Sequence, residues 1–600
     1  MIIKILRNES RGIKVNFLTR AKIKHVPLVQ VWRARQNNLF SNGKARQKIN
    51  IFGTLFDVHQ TFSWHKDYIS EFEYPMLRFD KINIAEWFDK GIDIKFPWEM
   101  SRLSLLLIIS VNYLKTKELK YYRLYKRQLI DWINKNPFCY GINWNCTMNV
   151  AIRAINLTVS FCYMKDLFEQ ENDKTVLYVL SDLLIQHAEY ISRFPEVKKS
   201  GHTNNHTVAN YAGLLFLALV LANHKKSGKW LTQAIRGLES CIRYQTYDDG
   251  VNFEGSIPYH GYVLEMLAYS AIVSRANDIF LSNTYYKLLF RMFEYTAAYV
   301  DHNGNAPAIG DNDSGKILDF HIVKDQDHSC LIDLAEIIFN YKIPSQCSKK
   351  NPFLYELVPA IKKMDLEEIG VSPRKTDRSI IFDKGGAYCL KNKHFSLLVS
   401  CFPLGQCGKG GHNHLDAGSF TLSVDGVPII VDPGTFSYTR DYQFRNKFRC
   451  FTSHNALYPS KEINGICESK EEGLWRLQNI FETKLLEFSN RHIKIEVVNK
   501  HNGFVFTRSF EFENDFSLII ADESDDKYKS VLHFSPLIAL SVDMDNVIIN
   551  NDFLCLSPSS SSFTTMDYEY SPCYNKKQSA RVMICNNFKH SKLKFELQSK

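Results

Sequence analysis

The sequence predicts an α+β multidomain protein, with a helical N-terminal half followed by an antiparallel β-sandwich. Its 600 residues fit two or three large units at ~100–200 residues per domain. Between about 85 and 365, apolar residues recur at helical spacing. After Pro373, short runs rich in β-branched and aromatic residues replace them, which is typical of strands. The segment 371–377 is the expected linker between the two halves.

The helical half is expected to begin near residue 85 and to end near residue 370. Its predicted helices span residues 102–114, 121–134, 148–164, 175–194, 205–223, 230–247, 261–276 and 283–300. Several of these are apolar most of the way round, which indicates helices packed on two sides. The pattern therefore favours a double-layered helical barrel or solenoid. Residues 1–84 are mixed in character and are interpreted as an N-terminal extension.

The strand half is expected to cover residues 378–600. Its predicted strands span residues 396–402, 419–424, 428–431, 492–498, 504–512, 516–521 and 531–534. Asp425-Gly426 lies between two of these runs and is a strong signal for a two-residue hairpin turn. The run at 559–562 is interpreted as a surface loop.

Composition excludes several classes of protein. With 45% hydrophobic and 13% aromatic residues, the chain has enough apolar material for a large core and is not predominantly disordered. The net charge of +10 fits a polyanionic ligand but also an ordinary solvated surface. No nucleic-acid-binding motif accompanies it, so we expect no nucleic-acid partner.

The sequence also favours a cytoplasmic location. Charged residues interrupt the first thirty positions, so no secretory signal is expected. The most apolar stretches, 103–111 and 212–222, are shorter than the ~20 residues of a membrane-spanning helix. The 14 cysteines lack CxxC pairs and are interpreted as reduced thiols. The sequence does not indicate an oligomeric state.

Polar residues of reactive type concentrate in four segments: 201–206, 248–260, 410–416 and 453–455. In a strand, His412 and His414 would share a face, and with Asp432 they would suit a divalent metal of the zinc type. An isolated pair of this kind is more often a polar loop. Asn205 with His206, and Tyr259 with His260, could equally cap helices or fill the core.

Taken together, these segments resemble the heparinase II/III family of polysaccharide lyases over roughly residues 85–535. The matching residues are Asn204 to His206, Asp249, Gly250, Glu254, Ser256, Tyr259, His260, residues 411–416, Ser419, Phe420, residues 432–435, His454 and Asn455. Residues 93–102, with 136–137 and 143–144, resemble the group found in bacterial surface-polysaccharide gene clusters. The resemblance implies an N-terminal incomplete (α/α) toroid, a C-terminal antiparallel β-sandwich and an active site in the cleft between them.

The resemblance also implies β-elimination at a uronic acid of an acidic polysaccharide. Asn205 would neutralise the substrate carboxylate, with His206 beside it. Tyr259 would act as acid and base, which requires cations nearby to lower its pKa from ~10. His412 would be the base when the C5 proton lies on the other face of the sugar.

Further roles follow from the same resemblance. His414, Asp432 and His454 would bind a structural zinc ion. Arg440, Arg445 and Arg449 are expected to bind substrate carboxylates or sulfates, since Arg suits bidentate pairing. His260 and Glu254 are expected to contact substrate as well.

Three functions remain open at this stage. The first is a lyase in capsule or O-antigen metabolism, and the second is a uronyl C5-epimerase that uses the same groups. The third is a non-catalytic glycan-binding assembly protein with the same fold. A hydrolase would need two suitably spaced carboxylates, and the candidates are Asp248, Asp249, Glu254, Asp311 and Asp313. The Asn, Tyr and His set makes a hydrolase the less economical interpretation.

Overall fold

The computed structural model describes residues 26–35, 45–198, 200–320, 324–459, 472–543, 546–550, 554–558, 563–587 and 589–598. Long helices fill the first part of this chain, and antiparallel strands fill the part after residue 380. The predicted α+β class and the order of its halves are therefore confirmed. No helix within these ranges is long and apolar enough to cross a membrane. The predicted loop at 559–562 lies outside the described residues.

All eight predicted helices form. The helices are α1 Lys95–Ser101, α2 Ser104–Thr116, α3 Leu119–Lys135, α4 Thr147–Gln170, α5 Lys174–Arg193, α6 Asn205–Val220, α7 Ser227–Gln245, α8 Ile257–Arg275, α9 Asn283–Tyr299, α10 Ser329–Ile338 and α11 Pro352–Leu357. Helices α4, α6 and α8 are buried nearly all round, whereas α3, α5 and α7 each keep an exposed face.

The helices form two layers because alternate helices pack side by side. Helices α2, α4, α6, α8 and α10 pack in succession, and the outer helices α5, α7 and α9 pack against one another and against the inner layer. Inner helices contact neighbours on both sides, which explains why their apolar residues run all round. The backbones of α4 and α6 approach closely at Gly213, where a Cβ atom would lie 2.7 Å from the Cβ atom of Ala151. The arrangement is a double-layered helical toroid.

The N-terminal extension packs into the helical core. It contributes a hairpin of β1 Lys48–Ile51 and β2 Thr54–Asp57. Trp32, Phe56 and Trp64 are buried in the same cluster as the inner helices. Phe52 also contacts Tyr574 of the strand half, with ring centroids 4.9 Å apart. The extension therefore stabilises both halves.

The strand half contains three antiparallel sheets. Its strands are β3 Ile380–Phe382, β4 Ala387–Lys391, β5 Phe395–Ser400, β6 Ser419–Val424, β7 Val427–Ile430, β8 Leu457–Pro459, β9 Phe481–Phe488, β10 His492–Asn499, β11 Val505–Asn514, β12 Ser517–Ser524, β13 Tyr528–His533, β14 Leu540–Asp543, β15 Asn546–Ile549, β16 Leu554–Pro558, β17 Phe563–Cys573, β18 Lys576–Asn587 and β19 His590–Leu597. All seven predicted strands are among them. The sheets are β3-β4-β5-β6-β7, β17-β18-β13-β8 and β14-β15-β16-β19-β12-β11-β10-β9.

One apolar core holds the three sheets together as a sandwich. In β10 the inward residues Ile493, Ile495 and Val497 alternate with more exposed ones, as a sheet with one buried face requires. The predicted hairpin turn is confirmed, since Asp425 and Gly426 have φ angles of 48° and 75°.

The two halves meet where the loop before α8 contacts the loop before β6. The Gln406 N–H donates to the Phe253 carbonyl at 2.8 Å, and the Asp311 N–H donates to the His412 carbonyl at 3.0 Å. A Cβ atom on Gly255 (φ +68°) would lie 2.1 Å from the Asn413 amide nitrogen. Only glycine permits this approach. The contact brings the polar segments of both halves together.

Candidate active site

The first turns of two helices form the helical side of the site. Asn205 is the first residue of α6, and Tyr259 lies in the first turn of α8. Neighbouring residues cap the two helices. The Tyr259 N–H donates to Ser256 Oγ at 3.1 Å. The Asn204 N–H donates to Thr207 Oγ1 at 3.3 Å. The side chains of Asn205 and Tyr259 are therefore free of a capping role.

The phenol of Tyr259 stacks on the imidazole of His412. The ring centroids are 3.6 Å apart and the planes differ by 16°. The Tyr259 hydroxyl lies 3.2 Å from that of Tyr438. Trp475 packs edge-on against both His412 and Tyr438. It is 38% exposed, so the aromatic cluster extends to the protein surface. Tyr438 and Trp475 lie outside the polar segments, so the sequence pattern did not predict them.

Glu254 connects Asn205 to His412. The Asn205 N–H donates to Glu254 Oε1 at 2.7 Å, and Glu254 Oε2 lies 3.5 Å from His412 Nε2. The carboxyl is fully buried, and this burial raises its pKa. Glu254 therefore positions the two neighbouring groups, and its contact with substrate stays a prediction. Among the described residues, the buried Asn205 Oδ1 has no hydrogen-bond partner.

Asp311 anchors the sandwich side of the site. Its two oxygens lie 3.0 Å from His412 Nδ1 and 3.0 Å from His414 Nε2, and it also pairs with both terminal nitrogens of Arg445. Burial alone would raise the pKa of Asp311, but Arg445 and the two histidines hold it well below its usual value. The sequence offered Asp311 only as a hydrolase carboxylate. In the structure it organises the other groups.

His412 and His414 do not lie in a strand, which corrects the expectation from their spacing. Both belong to the loop that precedes β6. They nevertheless face one partner, because each ring contacts a different oxygen of Asp311.

The predicted arginine contacts to substrate also need correction. Arg445 and Arg449 are each 1% exposed, and they lie one turn apart on the short helix α12 Tyr442–Arg449. Arg445 is committed to Asp311, and Arg449 donates to the Leu474 carbonyl at 3.1 Å. Arg440 lies 3.6 Å from Asp67 in the N-terminal extension. Arg445 and Arg449 therefore hold the loops of the site in place, whereas Arg440, whose side chain is 14% exposed, stays a predicted substrate contact.

His260 is a core residue and not a substrate contact. Its Nε2 atom lies 3.3 Å from the Met292 carbonyl and 3.2 Å from Thr296 Oγ1, both on α9. Burial lowers its pKa to about 3, so the ring is neutral. The residue joins α8 to α9.

His414, Asp432 and His454 form a buried cluster whose ligand atoms all lie within 4.8 Å of one another. Among the described residues, His414 Nδ1 and His454 Nε2 are buried without a hydrogen-bond partner. Burial lowers the pKa of His414 to about 4, which favours the neutral ring that binds metals. Asp311 holds the other nitrogen of this ring, as outer carboxylates do in zinc sites. The residues therefore fit a zinc ion.

His206 contacts Glu196 and Cys146 of the helical half. Its Nδ1 atom lies 3.1 Å from Glu196 Oε1 and 4.0 Å from the Cys146 sulfur. Burial opposes the charged ring, but Glu196 and Cys146 raise the pKa of His206 well above its usual value. His206 adjoins Asn205 in the chain, and its catalytic role stays a prediction.

A cavity of about 730 Å³ also lies between the two halves. Tyr299, Lys316 and Asp432 are among the residues that line it. Asn205, Tyr259 and His412 do not line it. These three candidate catalytic residues therefore lie outside this cavity.

Known proteins share this architecture. The family profile described as Heparinase II/III N-terminus matches residues 21–323, and that described as Heparinase II/III-like, C-terminal matches residues 374–594. A heparin-sulfate lyase of Pedobacter heparinus is 25% identical over 439 residues, which are 70% of this chain and 59% of that protein. The chain thus spans about 59% of the length of this curated relative.

Solved structures show the same fold. A crystal structure of heparinase III aligns with a TM-score of 0.62 at 16% identity, over 90% of this chain and 82% of that one. The heparan sulfate lyase HepC from Pedobacter heparinus aligns with a TM-score of 0.53 at 18% identity, again over 90% and 82%. The predicted toroid and sandwich are therefore confirmed as the fold of the chain.

Proposed function

The chain belongs to the heparinase II/III family, and we propose that it is a polysaccharide lyase acting on uronic acid residues by β-elimination. The stacked pair of Tyr259 and His412 carries this proposal, because it places a phenol and an imidazole face to face, with ring centroids 3.6 Å apart. Asn205 adjoins the pair through Glu254. No pair of free carboxylates of the kind a glycoside hydrolase uses is needed to explain the site.

The first task of the site is to make the C5 proton acidic. A uronate carboxylate already carries charge, so an enolate-like intermediate needs donors aimed at it. The Asn205 amide supplies two N–H donors that do not titrate. Glu254 accepts the Asn205 main-chain N–H, and the side-chain amide nitrogen of Asn205 lies 3.9 Å from the Met148 sulfur.

The second task is proton transfer, and the proposal divides it between Tyr259 and His412. Burial, followed by the nearby carboxylates Asp313 and Asp311, raises the pKa of Tyr259 well above 10. This reverses the expectation that cations would lower it. The protonated phenol is the acid that protonates the O4 leaving group, and His412 is the base that removes the C5 proton.

Exposed cations near the site suit an acidic substrate. Lys198 and Arg476 are exposed, and Lys409 is half-buried. The main chain holds them close to the site, because the Lys198 N–H donates to the His202 carbonyl and the Leu477 N–H to the Lys409 carbonyl. Besides partial burial, Lys409 and Arg476 lower the pKa of Lys198, as mutually repelling cations do. These three residues replace the buried arginines as binders of carboxylates or sulfates.

Two finer points belong to the same proposal. A structural zinc ion held by His414, Asp432 and His454 would cross-link the loop that carries His412 to the strands behind it. The likeness of residues 93–102 to the surface-polysaccharide group supports a role in capsule or O-antigen metabolism.

The test offers the purified protein heparin, heparan sulfate, chondroitin sulfate, alginate and acidic bacterial capsular polysaccharides. We expect one of them to yield the ultraviolet absorbance of a C4–C5 unsaturated uronate. Deuterium uptake at C5 from heavy water without cleavage would select the epimerase instead. Binding with neither reaction on any polymer would overturn both enzymatic functions.

A further inference from the structure

A second group of metal-ligating side chains lies in the helical half, apart from the His414 cluster. Cys146 immediately precedes α4, Glu196 follows α5, and His206 is the second residue of α6. The Cys146 sulfur lies 3.7 Å from Glu196 Oε1 and 4.0 Å from His206 Nδ1. Glu196 Oε1 lies 3.1 Å from His206 Nδ1. Three different elements thus direct one soft and two harder donor atoms at one point.

The surroundings hold Glu196 rigidly and leave one of its oxygens for the cluster. Its Oε2 atom accepts the Met148 N–H at 2.8 Å and the Asn210 amide at 3.1 Å. Its main-chain N–H donates to Asn210 Oδ1 at 2.7 Å, and its carbonyl accepts the Thr207 hydroxyl at 2.6 Å. Only Oε1 faces the thiol and the imidazole. The carboxylate is therefore fixed in place without any contribution from a metal.

We propose that Cys146, Glu196 and His206 bind a divalent metal ion of the zinc type. A tetrahedral zinc ion with ligand bonds of ~2.0–2.3 Å separates its ligand atoms by about 3.3–3.6 Å. The three separations here, 3.1, 3.7 and 4.0 Å, bracket that range. Thiolate, imidazole and carboxylate are all zinc ligands, and thiolate disfavours magnesium and calcium.

The proposed site has an open position. Zinc sites that keep three protein ligands leave a fourth place for water or substrate. The side chains of His206 and Glu196 are 33% and 29% exposed, so solvent reaches the cluster. The His414 cluster differs, because all three of its residues are buried. The two sites would therefore differ in how readily they exchange metal.

An ion pair between His206 and Glu196 accounts for only part of this arrangement. It explains their 3.1 Å contact, but it does not require a thiol near both partners. Metal binding would release the proton of His206 and that of the Cys146 thiol. The ion would also tie the beginning of α4 to the beginning of α6, where Asn205 adjoins His206. His206 then acts as a positioning residue for Asn205.

The test uses cobalt(II) in place of zinc, because only a site with a thiolate ligand gives sulfur-to-cobalt charge-transfer absorption in the near ultraviolet. The full chain is stripped with chelator and titrated with cobalt(II). We expect the charge-transfer band to saturate when one cobalt(II) ion is bound at the thiolate site, within a total of at most two equivalents per chain. The His414 cluster contains no sulfur and cannot produce it. Cobalt binding without this band would overturn the proposal.

Matched variants test whether Cys146 is the thiolate that produces the charge-transfer band. Cys146→Ala should abolish it, whereas Cys162→Ala, which removes a thiol of the same 5% exposure from helix α4, should leave it unchanged. Glu196→Gln keeps the thiol and should weaken cobalt binding about 10-fold or more, and it serves if Cys146→Ala does not fold. A band that survives in Cys146→Ala, or cobalt affinity unchanged in Glu196→Gln, would contradict the assignment.

Discussion

The two sides of the cleft are built in different ways. On the helical side, Asn205 and Tyr259 are placed by the first turns of two helices and by local caps. On the sandwich side, His412, His414 and Arg445 come from loops and the short helix α12, and are held by one carboxylate, Asp311. The helical side therefore rests on local helix structure, whereas the sandwich side rests on long-range contacts to Asp311.

The largest effect is expected from removing the acid on the helical side. Tyr259→Phe should lower kcat on the cleaved polymer by ~10²–10⁴-fold, because the hydroxyl that protonates O4 is lost. Ring stacking on His412 remains, so the thermal unfolding midpoint should change little. The rate of appearance of the unsaturated uronate measures the effect.

Tyr269→Phe is the matched control for this variant, since Tyr269 is a buried tyrosine further along the same helix. It should retain the rate of the unchanged protein. Equal rates for Tyr259→Phe and Tyr269→Phe would remove Tyr259 from the chemistry.

On the sandwich side, Asp311→Asn should lower the free energy of unfolding by ~3–5 kcal/mol, because it leaves Arg445 buried beside a neutral amide. The pKa of Asp311 is lowered in the folded state, so its stabilisation is complete above the unfolded pKa of ~3.9. It is lost as the pH falls through the folded value. Urea unfolding at pH 7 and at pH 3 measures both effects.

We expect Asp311→Asn to lower the free energy of unfolding by a large amount at pH 7 and by a smaller amount at pH 3. Asp567→Asn is the control, since this aspartate pairs with Arg581 on the surface. It should cost at most about 1 kcal/mol. An effect of Asp311→Asn that grows on acidification would contradict the role of Asp311 as a buried anion.

The zinc content of the protein tests the sandwich side of the site separately. His454→Ala should lower the zinc content by one equivalent on elemental analysis, because it removes one of three ligands. His533→Ala, a buried histidine next to Asn455, should leave the content unchanged. Equal zinc contents in the two variants would refute the assignment of His454.

The smallest effect is expected at the exposed cations. Lys409→Gln should raise KM by ~1.5- to 5-fold, as the 0.2–1 kcal/mol of an exposed ion pair implies. The difference should shrink at high salt, because exposed charges are screened. Lys447→Gln, which removes an exposed lysine paired with Glu569, should have no effect on KM. A KM unchanged by Lys409→Gln at low salt would place substrate charge elsewhere.

Local sequence patterns predicted the features that depend on neighbouring residues. The eight helices, the strand Ser419–Val424 and the turn at Asp425-Gly426 follow from spacing and turn chemistry. The strands after residue 540 were not predicted. Strand β17 has only two buried residues, which are adjacent, and β18 begins with polar residues, so neither shows a clear apolar alternation.

Contacts between distant residues could not be predicted in the same way. Asp311 meets His412 across 101 positions and Arg445 across 134. Basic residues are usually exposed, so the sequence pattern does not predict that Arg445 is buried. Its pairing with Asp311 stabilises the buried charge. The family resemblance predicted that Asn205, Tyr259 and His412 belong to one site, and the structure brings them together.

The division of labour between His412 and Tyr259 is the central claim, and heavy water tests it most directly. Tyr259→Phe retains the base, so it should still exchange the C5 proton of the polymer for deuterium without cleaving the chain. His412→Ala should neither exchange nor cleave. Mass spectrometry of the recovered polymer reads both reactions. Exchange that persists in His412→Ala and vanishes in Tyr259→Phe would contradict the account and make the tyrosine the base.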